Sequence, residues 1–192
     1  RFLFIYKKGE LGSYHTPIPL CIVLLTPTIF YYGATLVVVV VVVELVELLV
    51  LVELVDVADL VSEAISQSQT NAESRYIILN PEIMTNVQLF GDREQLVMAF
   101  HNLIENAINY SPENTKVTIT ISADSASLSV MVKDQGIGIS EGDLERIFER
   151  FYRVDPARSR ETGGTGLGLS IVKHVATIHG GEVLVWSKPG EG

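Results

Sequence analysis

Amide and carboxylate side chains recur along one side of the helix that the sequence predicts over residues 92–110. At about 100° per residue these side chains fall together; they are Asn102, Glu105, Asn106 and Asn109. The opposite side is apolar and forms the predicted core face; its members are Leu96, Val97, Phe100, Leu103, Ile104, Ala107 and Ile108. Asparagine is a weak helix former, so a purely solvated face would be better served by lysine or glutamate. Oxygen ligands in this cluster suit Mg²⁺, which usually keeps waters and substrate phosphates in its shell, although a solvated face stays the alternative.

A carboxylate and two alternate glycines directly follow residues 128–133, which contain a predicted strand. Asp134 can offer an acceptor to an exocyclic amine, and Gly136 and Gly138 let a flat ring approach the backbone. The same pattern also makes an ordinary turn, so by itself it leaves both interpretations open.

A second glycine-rich segment, residues 163–168, opens a helix predicted over residues 166–178. Glycines just before a helix N-terminus expose backbone N–H groups to phosphate. The segment is not a Walker A motif, because no Lys-Ser/Thr pair closes it. A flexible hinge is the alternative interpretation.

In this order and spacing, the segments resemble the catalytic ATP-binding domain of sensor histidine kinases, in the superfamily shared with gyrase, heat-shock chaperone and mismatch-repair ATPases. Residues 101–111, HNLIENAINYS, resemble the N box, and residues 134–138 resemble the first glycine box. Residues 146–153, RIFERFYR, resemble the F box, and residues 164–172, GTGLGLSIV, resemble the second glycine box. The resemblance extends over residues 51–192.

The resemblance implies roles for these residues in binding ATP with Mg²⁺. Asn106 would be the Mg²⁺ ligand, Asn102 would support the triphosphate, and Glu105 would stand where a proton acceptor could act. Asp134 would accept a hydrogen bond from the adenine amino group. Arg150 would approach the γ-phosphate, where a planar guanidinium can stabilise developing charge.

Further nucleotide contacts are implied by the resemblance at Asn109, Tyr110, Gly136, Gly138, Gly164, Thr165, Gly166, Leu167 and Gly168. The chain departs from the family at Asn109, where many members carry lysine or arginine. One phosphate-directed positive charge is therefore missing. The loop of residues 155–163 would be a mobile lid over the ATP.

The elements that must position these residues are strands and helices mixed without regular alternation. This predicts an α+β fold, a two-layer α/β sandwich of the histidine-kinase ATPase type in which helices cover one face of a mixed sheet. Strands are predicted at residues 51–55, 75–79, 87–90, 117–121, 128–132 and 182–186, with a turn at Pro81. Helices are predicted from the cap at Asp56 to residue 74, and at residues 92–110, 141–151 and 166–178. The family's last strand is expected to follow Gly192 and to be missing from this chain.

Residues 1–50 form an apolar, low-complexity N-terminal region of uncertain structure. No Asp, Glu, Lys or Arg stands between Glu10 and Glu44, and valine is unbroken over residues 37–43. This length without charge makes a candidate membrane span. Interrupting prolines and seven consecutive β-branched residues are equally typical of a strand or a low-complexity segment, and a degenerate dimerisation hairpin is a further interpretation.

A histidine kinase also needs a phosphoacceptor histidine before its ATP-binding domain. His15, followed by Thr16 and Pro17, resembles the end of the family's H box and is the candidate. It lacks the acidic residue that usually follows the histidine and the residues that separate it from the threonine, so an incidental histidine is the alternative.

A net charge of −9 argues against nonspecific binding to nucleic acid, which depends on neutralising many phosphates. A single cysteine excludes an intrachain disulfide. The expected function is that of a sensor histidine kinase fragment, which passes the γ-phosphoryl group of Mg-ATP to a histidine for relay to a response-regulator aspartate. The resemblance implies a receiver domain and a second copy as partners, and a full-length protein anchored in the cell membrane with this domain in the cytoplasm. An ATP-binding module that is inactive as a kinase is the alternative.

Overall fold

A computed structural model describes residues 2–7, 52–125, 127–154, 165–190 and 192, with only the backbone for residues 2–7. The candidate phosphoacceptor His15, the candidate membrane segment, Gly164 and the loop of residues 155–163 lie outside these ranges. Within them, no helix has both the length and the apolar character needed to cross a membrane.

The elements follow one another as seven strands and three α-helices over the described residues. The strands are β1 (Phe2–Lys7), β2 (Glu53–Asp56), β3 (Ile78–Ile83), β4 (Gln88–Gly91), β5 (Lys116–Ala123), β6 (Ser127–Lys133) and β7 (Gly181–Val185). The helices are α1 (Val57–Ser74), α2 (Arg93–Tyr110) and α3 (Gly168–Ile178), and a 3₁₀ turn covers Arg146–Phe148.

Five strands form a mixed sheet in the order β3-β5-β6-β1-β7. The β3–β5 pair is parallel, and the other three pairs are antiparallel. On β5, Val117, Ile119 and Ile121 are fully buried, because alternate residues of a strand face the same side. The helices pack against this apolar side, where α1 buries Leu60 and α2 buries Phe100. The predicted α+β sandwich is thus confirmed.

Strand β1 was not predicted from the sequence, which grouped its residues with the N-terminal region. It lies inside the sheet between β6 and the edge strand β7, with Phe4 opposite Val130 on β6 and Val183 on β7. The antiparallel hydrogen bonds on both sides of β1 therefore connect β7 to the rest of the sheet.

The strand predicted at residues 75–79 begins later and runs on through the predicted turn at Pro81. Arg75 caps the end of α1, and the strand begins at Ile78. Pro81 pairs in register with Ile119. The edge position of β3 explains this difference, since an edge strand tolerates a residue that has no N–H to donate.

The helix predicted at residues 141–151 is also wrong, because only the 3₁₀ turn at Arg146–Phe148 forms there. Glu149 leaves the helical region with ψ 142°, and Phe151 adopts a left-handed φ of 64°. The Phe151 N–H then donates to the Gly166 carbonyl at 2.9 Å. This contact between distant segments replaces the local hydrogen bond that a helix would need.

Helix α2 is fixed at both ends by side chains from other elements. At its N-terminus, the Asp92 carboxylate accepts from the Gln95 N–H at 3.0 Å, as an N-cap should. The Asp92 N–H donates to His179 Nε2 at 3.0 Å, so the ring proton is on Nδ1, which donates to the Val175 carbonyl at 2.8 Å. At its C-terminus, Arg75 donates to the Ile108 carbonyl at 2.7 Å.

We expect His179→Ala to lower the free energy of unfolding by about 1–2 kcal/mol, because the half-buried Asp92 N–H loses its acceptor. His174→Ala is the matched control, since His174 is exposed on the same helix. Denaturant titration of both variants measures the difference. Equal stability of the two variants would contradict the role of His179 in holding α2.

Candidate functional site

A cavity of about 370 Å³ lies beside α2, between the end of β6 and the start of α3. Most of the site residues singled out in the sequence line this cavity: Asn102, Glu105, Asn106, Asn109, Tyr110, Asp134, Gly138, Thr165, Gly166 and Gly168. Its size lies within the usual range for a small-molecule site. Gly136 and Leu167 are not part of the lining.

The α2 side of the cavity carries the predicted row of amides. The Asn102 Nδ2 donates to the Met98 carbonyl at 2.8 Å, and this bond fixes the orientation of the amide with its oxygen toward α3. A Cβ built on Gly168 would meet that oxygen at 2.8 Å and the Asn106 Nδ2 at 3.4 Å. Glycine at 168 therefore allows the first turn of α3 to approach the two amides closely.

Sequence reasoning missed a residue of α1 that holds two members of this row. The Asn71 Nδ2 donates to Glu105 Oε2 at 2.7 Å and lies 3.4 Å from Asn109 Oδ1. Asn71 lies near the end of the first predicted helix, and no motif marks it. Its contact depends on the packing of α1 against α2, which local sequence does not reveal.

Asp134 and the glycines after it form a tight turn at the other end of the cavity. The Asp134 Oδ1 accepts from the Gly136 N–H at 2.8 Å, and the Ile137 N–H donates to the Tyr110 carbonyl at 3.3 Å. Gly138 has a left-handed φ of 71°, and a Cβ there would collide with the Lys188 carbonyl. The turn therefore brings backbone from three segments together behind the cavity wall.

Arg150 and Arg153 occupy different environments in the segment that follows the 3₁₀ turn. Arg150 is exposed and does not line the cavity, whereas Arg153 does. The Arg153 Nη2 is buried and has no hydrogen-bond partner among the described residues. A buried guanidinium nitrogen without a partner is suited to an anionic ligand, because burial without a hydrogen bond is costly. Sequence reasoning singled out Arg150 and missed Arg153, and the F-box resemblance covered both.

A cluster that no motif predicted lies directly behind the cavity at Asp143. Its carboxylate accepts from the Tyr152 hydroxyl at 2.5 Å and from the Ser140 hydroxyl at 2.6 Å. The Arg146 guanidinium lies 4.1 Å from the centre of the Tyr152 ring. The bond from Ser140, then that from Tyr152, lowers the pKa of Asp143, and the bond to Asp143 raises the pKa of Tyr152.

Residues 91–192 match the family model described as histidine kinase-, DNA gyrase B-, and HSP90-like ATPase. The chain is 49% identical over 133 residues to the sensor-like histidine kinase SenX3 of Mycolicibacterium smegmatis, covering 69% of this chain and 35% of the relative. It is 46% identical over 106 residues to the phosphate regulon sensor protein PhoR of Pseudomonas aeruginosa, covering 55% of this chain and 24% of the relative. The chain thus spans about a third or less of the length of these curated relatives.

Two solved structures have a similar fold. The mycobacterial sensor histidine kinase MprB is 28% identical with a TM-score of 0.57, over 73% of this chain and 98% of that chain. Full-length ShkA in complex with AMPPNP is 26% identical with a TM-score of 0.62, over 73% of this chain and 29% of that chain.

We expect Gly138→Ala to destabilise the fold by about 2 kcal/mol or more, because a left-handed residue with a Cβ costs roughly 1–2 kcal/mol before its collision with the Lys188 carbonyl is added. Gly142→Ala is the matched control, since a Cβ there meets no atom within 4 Å. Denaturant unfolding of both variants measures the effect. A Gly138 variant as stable as the Gly142 variant would rule out the tight turn.

Proposed function

The chain belongs to the histidine kinase-, DNA gyrase B- and HSP90-like ATPase family, and on that premise we propose that it binds Mg-ATP and transfers the γ-phosphoryl group to a histidine. The observation that carries the proposal is the composition of one cavity. It joins the amides of α2, the Asp134 turn, the glycines at the start of α3 and a nitrogen of Arg153 that has no partner among the described residues. The Asp134 turn matches the base of a nucleotide, and the other three groups match its phosphates and their bound cation.

Asp134 lies at the adenine end of the proposed site. Its carboxylate offers an acceptor to the exocyclic amino group, and Ile137 and Gly138 supply apolar surface and backbone beside the ring. The bond from the Gly136 N–H to Asp134 Oδ1 orients the carboxylate before any ligand binds. Orientation in advance of binding lowers the entropy cost of association.

The polar side of α2 and the first turn of α3 form the phosphate end. Asn106 would hold Mg²⁺ through its amide oxygen, and Asn102 would support the triphosphate. Among the described residues, no group of three or more His, Cys, Asp or Glu side chains could hold a metal by itself. One or two protein oxygens fit Mg²⁺, which takes most of its ligands from waters and phosphates. Bound there, the ion would neutralise phosphate charge.

Arg153 is a better candidate than Arg150 for the contact with the γ-phosphate. Arg153 borders the cavity with a buried nitrogen for which the described part of the chain offers no partner, while Arg150 is exposed to solvent. A planar guanidinium there can stabilise the charge of the transferring group. Glu105 remains a proposed proton acceptor, with one of its oxygens already bonded to Asn71.

In the proposed reaction, the bond from the γ-phosphorus to the bridging oxygen of ADP breaks, and a bond to a histidine ring nitrogen forms. Positioning and charge neutralisation supply most of the catalysis in such transfers. The phosphohistidine would then donate to an aspartate of a response-regulator receiver domain. We further propose, from the resemblance of the four motifs to those of sensor histidine kinases, that the full-length protein is a membrane-anchored homodimer with this domain in the cytoplasm.

We expect Asn106→Ala to abolish Mg²⁺-dependent ATP binding, and Asp134→Asn to weaken it about 10- to 100-fold, because a hydrogen bond to a charged group is lost. Titration calorimetry on the full chain, with and without Mg²⁺, measures both effects. Asn86→Ala is the control, because Asn86 is exposed and lies outside the cavity lining. Unchanged ATP binding by Asn106→Ala would contradict the assignment of the phosphate end.

We expect the full chain, incubated with γ-labelled ATP, to acquire an acid-labile, base-stable label. Arg153→Met should reduce the labelling rate about 100-fold, since a donor to developing charge is removed, and Arg150→Met should change it little. Both variants remove one positive charge from the same segment. A difference between them therefore reports a contact of Arg153 with the γ-phosphate, and equal effects would report only the loss of charge. If ATP binds but no label forms, the chain is the alternative, an ATP-binding module without kinase activity in this form.

A further inference from the structure

The Asp143 carboxylate joins two parts of the chain that border the cavity from different sides. Ser140 lies two residues beyond Gly138, in the segment that leaves the Asp134 turn. Tyr152 lines the cavity and directly precedes Arg153. Both hydroxyls donate to the two oxygens of Asp143, at 2.6 and 2.5 Å. The carboxylate therefore connects the wall beside the adenine end to the residue before Arg153.

Backbone structure alone does little to fix Tyr152 and Arg153. Neither residue is in a helix or strand. The Tyr152 N–H reaches the Glu149 carbonyl at 3.3 Å, and Arg153 makes no backbone hydrogen bond to another described residue. Side-chain contacts must then fix this part of the wall, and those of Tyr152 are the strongest available.

The Tyr152 ring is restrained from two directions. Its hydroxyl is bonded to Asp143, and the Arg146 guanidinium stacks 4.1 Å from the ring centre, a distance typical of a cation–π contact. Arg146 is itself only 3.7 Å from the exposed Glu149 carboxylate. These contacts hold the ring in one place, and neither Asp143 nor Arg146 lines the cavity itself.

We propose that Asp143 is a positioning residue, which fixes Tyr152 through its hydroxyl and thereby holds Arg153 where it meets the phosphates of the nucleotide. The inference rests on the proposed function and assigns a task to a carboxylate that does not itself line the cavity. The hydrogen bonds from Ser140 and then Tyr152 lower the pKa of Asp143, and the bond to Asp143 raises the pKa of Tyr152, so the pair keeps one ionised carboxylate and one neutral phenol near neutral pH.

The test compares ATP with adenosine, which lacks the phosphates that Arg153 would meet. Calorimetry on the full chain should find ATP binding about 5- to 10-fold weaker in Tyr152→Phe and in Asp143→Asn. Adenosine binding should stay within about twofold of the wild type. Glu149→Gln is the control, since Glu149 touches Arg146 but not the Tyr152 hydroxyl, and it should bind ATP normally. A loss of adenosine binding parallel to the loss of ATP binding would overturn the inference.

A double-mutant cycle separates positioning of Arg153 from a direct effect of Tyr152. In an Arg153→Met background, Tyr152→Phe should cause no further loss of ATP affinity, because the group that it positions is gone. Independent, multiplicative losses would refute the coupling. If the wild-type chain bound no ATP at all, the proposed function would fail and this inference with it. If the wild-type chain bound ATP and the Tyr152 and Asp143 variants bound it equally well, only this inference would be refuted.

Discussion

One helix has to serve the hydrophobic core and the polar cavity at the same time. Leu103 and Ile104 of α2 are fully buried, while Asn102 and Asn106, their neighbours in sequence, border the cavity. A rotation of the helix by one residue, about 100°, would bury amides and expose leucine. The rotation of α2 about its axis is therefore the constraint on which the site depends, and burial of its apolar side sets that rotation.

Burial alone does not fix how far α2 slides along its axis, and the contacts at its ends supply that restraint. His179 holds the N-terminal end and belongs to the turn after α3, so the helix with the amides and the helix that faces them are tied at one point. Arg75 holds the other end by donating to the Ile108 carbonyl, and the nearby Tyr110 carbonyl accepts from the Ile137 N–H of the Asp134 turn. The same contacts that stabilise α2 thus set the distance between the two ends of the cavity.

The sequence predicted the parts of the site whose signal is local. The periodicity of residues 92–110 located α2, and the glycine pattern of residues 134–138 located the Asp134 turn. Features that depend on contacts between distant segments were not predicted. For example, the helix predicted at residues 141–151 is wrong, because the contacts of Phe151 and Tyr152 prevent it. The roles of Arg153 and Asn71 were not predicted for a similar reason. Only the packing of separate segments shows that Arg153 borders the cavity and that Asn71 contacts Glu105.

The acidic composition of the chain sets a further requirement for a site that binds a polyphosphate. With a net charge of −9, long-range attraction does not favour an anion, so the attraction has to be local. Two local sources would meet at the proposed phosphate end: the buried guanidinium nitrogen of Arg153, and the N-terminus of α3, which begins at Gly168. Among the described residues that line the cavity, Arg153 is the sole cation. The position of its guanidinium group therefore matters for the proposed site, because no other lining side chain carries a charge that offsets that of a nucleotide.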